Sequence, residues 1–242
     1  MKVLDLFSGI GGFSLGLERA GMETVAFCEL DPHAQKILRK HWPEVPIFGD
    51  IRELDGEQFR KSVDVVCGGF PCQDLSVAGK QAGFDGDRSS LYREMLRVIG
   101  ECRPRYAIFE NVTGLLSGES GRWFAQFLYD LAEIGLDAEW HCVSAAYVGA
   151  PHHRDRVWVI AYPGKERGQR SVAESISWVE AFSWCKNGRR FEDLPKRSNL
   201  YPSQLCRSGD GIPERLDRLA RLGNAVVPAI TESIGLAIMA NN

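Results

Sequence analysis

The chemistry in this chain starts from one thiol in a constrained turn. Cys72 ends the run Cys67-Gly68-Gly69-Phe70-Pro71-Cys72, which follows the apolar stretch Val63-Asp64-Val65-Val66 and leads through Gln73 into a polar, glycine-rich segment. The two glycines open backbone angles closed to other residues and Pro71 fixes its own φ, so the thiol is presented in a defined place. That is what a nucleophile needs. A free cysteine is more often a small buried hydrophobe, and six other cysteines are available for that role, so Cys72 has to be judged by what surrounds it.

Carboxylates and arginines recur where strands should end. Glu29 and Asp31 follow the apolar run 24–28, Asp50 follows 45–48, and Glu110-Asn111-Val112 follows 106–109. Arg154 and Arg156 are two residues apart before the run 157–162, so on an extended segment they share one face and can grip a planar, oxygen-bearing substrate. The pair His152-His153 looks like a metal site, but adjacent residues on an extended segment point to opposite sides and no further ligand stands at coordinating spacing. No metal is expected.

Positioning these residues requires a strand-helix alternation. Lys2–Phe7 reads as a buried strand, Ser8-Gly9-Ile10-Gly11-Gly12 as a turn that admits a ligand to the backbone, and Phe13–Ala20 as a helix. A second strand then ends at Glu29 and Asp31, about 20 residues after the glycines, where doubly wound folds place an acid on a ribose hydroxyl. The dinucleotide fingerprint lacks its third glycine here, which counts against NAD. Continued alternation predicts an α/β fold with a doubly wound, mostly parallel sheet and helices on both faces. Ligands in such sheets bind at the carboxyl ends of strands, which brings the glycine turn, Glu29, Asp50 and Cys72 to one edge. Helices are expected over Pro32–His41, Leu91–Cys102 and Trp123–Ile134, and a last helix with Ile230, Ile234 and Ile238 in register is expected to pack beside the first strand. Between Ser76 and Ser90 a polar stretch with three glycines reads as a mobile surface loop.

Composition bounds the setting. Hydrophobic content of 44% and charged content of 25% fit a soluble globular protein with one substantial core. Without a long apolar stretch, an early signal segment or paired CxxC spacing, the expectation is a cytosolic, reduced protein with no membrane association. A net charge of −3 argues against a protein that coats nucleic acid over its whole surface. Residues 164–221 nevertheless hold twelve Lys+Arg against eight Asp+Glu, a weak pointer to a polyanion. This stretch, rich in Gly, Arg, Ser and Trp, marks the one candidate domain boundary.

Taken in order, these segments resemble the cytosine-C5 DNA methyltransferases. The likeness rests on Asp5-Leu6-Phe7-Ser8-Gly9-Ile10-Gly11-Gly12, Glu29-Leu30-Asp31, Asp50-Ile51, Gly69-Phe70-Pro71-Cys72-Gln73, Glu110-Asn111-Val112, Arg154-x-Arg156 and Gly223-Asn224-Ala225-Val226. The resemblance implies a Rossmann-like catalytic domain, residues 1–163 plus 219–242, and a small target-recognition region, residues 164–218. It implies S-adenosylmethionine as methyl donor, held by Phe7, Gly9, Gly11, Gly12, Glu29, Leu30, Asp50, Ile51 and Asn224. Cys72 would add to C6 of a flipped-out cytosine and so activate C5, with Glu110 on the N3 and amino edge and Arg156 and Arg154 on O2. Gln73, Ser76 and Arg88 would meet DNA, with the 76–90 loop as the closing loop. Double-stranded DNA is the implied partner, a cognate restriction endonuclease a second, and the chain is expected to act as a monomer. His152 departs from the Gln usual in the family, and a recognition region this short implies a short or relaxed target sequence. A tRNA methyltransferase of the same family and a non-catalytic DNA- or donor-binding protein are the alternatives. The sequence pattern around Cys72 follows the DNA-acting branch.

Overall fold

The computed structural model describes residues 1–71, 89–150, 154–164 and 225–241. At the centre lies β1 (Lys2–Leu6), buried from Val3 onward as a strand covered on both faces should be. It pairs in parallel with β2 (Glu23–Cys28) on one side and with β4 (Val65–Gly68) on the other. β3 (Ile47–Phe48) extends the sheet beyond β2, and β5 (Tyr106–Val112) lies parallel to β4. The last two strands, β6 (Leu136–Ser144) and β7 (Asp155–Pro163), form an antiparallel pair, with β7 also antiparallel to β5. The described residues thus build a seven-stranded sheet in the order β3-β2-β1-β4-β5-β7-β6. This is the mostly parallel, doubly wound α/β sheet expected, and its strand order reverses between β1 and β4.

Side chains alternate across the sheet with the two-residue period of a strand. Leu4, Leu6, Val66, Phe109 and Val159 join one apolar cluster with α3 (Ser89–Cys102) and α5 (Arg122–Glu133). Val3, Val65, Ile108, Trp158 and Ile160 join a second with α1 (Gly12–Arg19) and the C-terminal helix, residues Pro228–Ala240. Between them in chain order come α2 (Pro32–His41) and the short α4 (Gly114–Ser117), so the C-terminal helix is α6. Ile230, Ile234 and Ile238 of α6 are buried, as their spacing predicts. The helix lies against α1: a Cβ on Gly16 would clash with Thr231 Oγ1.

One boundary differs from the sequence reading in a way that matters for the site. β5 runs three residues past Phe109 because Glu110, Asn111 and Val112 continue to pair with Trp158, Val157 and Arg156 of β7. Glu110 is therefore a strand residue held on a rigid element. β6 and β7 pair antiparallel as neighbours, and the described part of their connection holds only the short 3-10 turn Ala145–Val148.

Candidate active site

A cavity of about 590 Å³ opens at the carboxyl edge of the sheet, beside the strand-order reversal. Its volume lies in the range of small-molecule sites. One end is built by the turns after β1, β2 and β3. Phe7 leaves β1 with φ 52°, a left-handed conformation that a bulky residue adopts at a cost, and lines the cavity. Gly9, Gly12, Glu29, Leu30, Asp50 and Ile51 line it too. The Glu29 carboxylate ties two of these turns together, one oxygen accepting from Gly9 N–H at 2.6 Å and the other from Asp31 N–H at 2.7 Å. Each oxygen keeps a second lone pair for a ligand hydroxyl.

The glycines of the first turn serve different ends. Gly9 has open space where a Cβ would stand. Gly12 would drive a Cβ to 2.7 Å from the Val226 carbonyl oxygen, and Val226 itself lines the cavity. Gly11 does not line it; with φ 84° it leaves room for the Trp42 ring, which would lie 2.6 Å from a Cβ there. Sequence pattern alone could not separate these roles, because Trp42 and Val226 are remote in the chain.

The other end is formed by β4, β5 and β7. Glu110, with 8% of its surface exposed, lines the cavity together with Gly69, Pro71, Arg154 and Arg156. Arg156 Nε lies 3.0 Å from Glu110 Oε1 and Arg154 Nη2 lies 3.9 Å from the same oxygen, so the arginines share one face as their spacing predicts. Glu110 Oε2 faces Gly69, where a Cβ would stand only 3.2 Å away. Burial pushes the Glu110 carboxyl above its usual range, and the two guanidinium groups pull against that rise. Burial, with Arg156 alongside, pushes the Arg154 guanidinium down.

Asn111 is a site residue that pattern reading quoted without a role. Its Nδ2 donates to the Phe70 carbonyl at 3.2 Å, and its Oδ1 accepts from Val112 N–H at 2.9 Å. The Phe70 ring is buried against Tyr92 and Phe127. Backbone and ring of Phe70 are both held, so the chain enters Pro71 from a fixed point. The buried thiols of Cys28 and Cys102 are each pushed up to about 12, and Cys67 also lies well above the usual range, burial being the largest cause. These three are unsuited to nucleophilic attack at neutral pH.

A profile described as C-5 cytosine-specific DNA methylase matches residues 1–202. The chain belongs to that family. It is 36% identical over 216 residues to the type II methyltransferase M.Eco47II of Escherichia coli, covering 88% of this chain and 50% of the relative. To the type II methyltransferase M2.BsuMI of Bacillus subtilis (strain 168) it is 41% identical over 165 residues, covering 66% of this chain and 42% of the relative. Among solved structures, one described as a DNA modification methyltransferase encoded within an E. coli prophage superposes with a TM-score of 0.57 at 29% identity. It covers 67% of this chain and 47% of its own. S. pombe Dnmt2 methyltransferase, 16% identical, shares the fold with a TM-score of 0.60 over 100% of this chain and 96% of its own. The chain spans about half the length of the bacterial relatives it matches.

Of the residues expected from the family's motifs, Phe7, Gly9, Gly12, Glu29, Leu30, Asp50, Ile51, Glu110, Arg154 and Arg156 all meet at this cavity. Cys72, Gln73, Ser76, Arg88 and Asn224 lie outside the described residues, as do the His152-His153 pair and residues 165–218 of the expected recognition region. Ala225 and Val226, the last two residues of the Gly223–Val226 motif, reach the cavity wall. Among the described residues, no group of three or more His, Cys, Asp or Glu is placed to hold a metal ion. No described helix is long and apolar enough to cross a membrane.

Proposed function

We propose that this chain is a DNA (cytosine-5)-methyltransferase of the restriction-modification type, acting on a cytosine flipped out of duplex DNA. The observation that carries the reading is the single cavity that has the Phe7–Glu29–Asp50 turns at one end and Glu110 between two arginines at the other. Family membership and the type II names of the relatives support it.

The residues at the first end fit S-adenosylmethionine. Glu29 stands at the end of β2 against the glycine turn, where it can accept ribose hydroxyls, and Leu30, 65% exposed, offers an apolar surface beside it. Phe7, Asp50 and Ile51 would hold the adenine, with Asn224 completing the site. When bound, the donor supplies an electrophilic methyl group on a sulfonium.

The chain's own residues would do the rest. Cys72 follows Pro71, which lines the cavity, and its thiolate would add to C6 of the cytosine, leaving C5 electron-rich. Glu110 would hold N3 and the exocyclic amine; its raised proton affinity suits a group that shares a proton with N3 as the thiolate adds. Arg156 and Arg154 would hold O2 and keep Glu110 oriented. C5 would attack the sulfonium methyl; a base would then take the C5 proton as the C5–C6 double bond re-forms and the Cys72–C6 bond breaks, releasing the methylated cytosine and the Cys72 thiolate. Gln73, Ser76 and Arg88 would contact DNA, and residues 164–218 would select the target. A region of that length supports few base contacts, each worth roughly 1–3 kcal/mol, so the target sequence is short or relaxed.

Methyl transfer from labelled donor, with duplex DNA and tRNA in competition, tests the substrate. Label in DNA alone is expected; label in tRNA alone would overturn the assignment. Bisulfite sequencing of the methylated duplex then reads the target, and a strict site of six or more base pairs would refute the short-target reading.

A further inference from the structure

Arg97 lies in the body of α3 and does not line the cavity, yet it is wired to the cavity's wall. Its Nη2 donates to the Ile51 carbonyl at 2.9 Å and its Nη1 to the Leu54 carbonyl at 3.0 Å. Ile51–Glu53 is a short helical turn that opens on Asp50 and closes with Leu54 N–H on the Ile51 carbonyl at 3.2 Å; Arg97 adds a second donor to that carbonyl and takes up the Leu54 carbonyl that follows the turn. Glu94 and Glu101, one turn to either side on α3, hold the guanidinium at 2.7 and 2.8 Å.

The same helix fastens the segment further along. Glu101 accepts from Gly56 N–H at 2.8 Å, and the Cys102 thiol donates to the Gly56 carbonyl at 3.3 Å. A Cβ on Gly56 would stand 2.7 Å from Glu101 Oε2, so only glycine lets the strap lie this close to α3. At the start of this segment, Asp50 and Ile51 line the cavity. The Asp50 carboxylate is bound to Arg52 at the surface rather than to α3, so the wall takes its position from the backbone that Arg97 grips.

We propose that Arg97 is a positioning residue for the donor end of the cavity. By fixing the Ile51 and Leu54 carbonyls it places the Asp50–Ile51 wall and sets affinity for the adenosine half of the donor. The inference rests on the reading of that end as the S-adenosylmethionine site. An exposed ion pair of α3 with itself would matter little. Here the cation also serves two backbone carbonyls 43 and 46 residues away; losing it removes the Leu54 carbonyl's donor and leaves the Ile51 carbonyl only its 3.2 Å bond from Leu54 N–H.

The test uses the full chain with Arg97→Met, which keeps the apolar stem, and Arg97→Lys, which keeps the charge without the fork. Binding is titrated calorimetrically with S-adenosylhomocysteine and with its inosine analogue, in which the 6-amino group is replaced by oxygen. The native chain is expected to bind S-adenosylhomocysteine and to prefer it over the analogue. Arg97→Met is expected to weaken it about tenfold and to narrow that preference, with donor KM raised and kcat at saturating donor retained. Arg97→Lys is expected to recover part of the loss. A lower melting temperature with unchanged Kd and unchanged preference would make Arg97 a structural brace and overturn the inference. If Arg97→Met does not fold, an unchanged Kd in Arg97→Lys overturns it equally. No binding by the native chain would overturn the donor reading itself, and the inference with it.

Discussion

Asp5→Asn replaces one buried oxygen by nitrogen and tests how the glycine turn is held. Helix α1 begins at Gly12, and the residue before it, Gly11, has no side chain to cap it. The missing cap comes from β1, where Asp5 Oδ2 accepts from Ser14 Oγ at 2.7 Å and from Ser14 N–H at 3.3 Å. Asp5 is fully buried, opposite Cys67 of β4 in the sheet register. Burial pushes its carboxyl from 3.8 up to about 7, against the two Ser14 hydrogen bonds, with the Glu29 charge adding to the rise and the Cys67 thiol opposing it. A carboxyl raised in the fold contributes stability that is fully present below about 3.8 and is lost as pH climbs to about 7. At about 1.4 kcal/mol per pH unit the whole loss comes to about 4 kcal/mol. Asn cannot titrate. Urea unfolding followed by circular dichroism from pH 5 to 8.5 should show native stability, relative to Asp5→Asn, falling by about 1.4 kcal/mol per unit up to pH ~7 and level above pH ~8. Parallel curves for the two proteins would refute the reasoning.

Glu110→Gln keeps the side-chain volume and removes the charge between Arg154 and Arg156. Single-turnover methyl transfer should slow by about 10²–10³-fold with donor affinity unchanged. Asn111→Leu releases the Phe70 carbonyl that precedes Pro71, so kcat should fall about tenfold while calorimetric donor binding stays as in the native chain. Gly16→Ala would force a Cβ to within 2.2 Å of the Pro228 carbonyl oxygen as well as against Thr231. A thermal or urea melt should show a loss of about 1–3 kcal/mol as α6 is pushed off α1.

Much of this site was legible in the sequence because its residues sit at strand ends, and strand ends are marked by apolar runs that stop. The β1 turn, Glu29, Asp50 and the i, i+2 arginines were found this way. What escaped depends on contacts that cross the sheet. That Glu110 belongs to β5 follows from pairing with Trp158 of β7, 48 residues later, and local propensity near Glu110 carries no trace of it. Gly11 reads like a ligand-facing glycine until Trp42 is seen filling the space beside it. Asp5 looks like a polar interruption in a buried strand, and its capping of α1 requires Ser14 to fold back over it. Nothing in the sequence marks Arg97 within its helix; only the return of Ile51–Gly56 beside it reveals the carbonyls it serves.

The central claim is covalent attack by Cys72 beside Glu110. Duplex DNA carrying 5-fluorocytosine blocks loss of the substituent at C5, so the adduct should persist through denaturing electrophoresis when S-adenosylmethionine is present. The account predicts a DNA-linked band for the native chain and none for Cys72→Ser. Absence of the band with native protein, or the same band with Cys72→Ser, would contradict it.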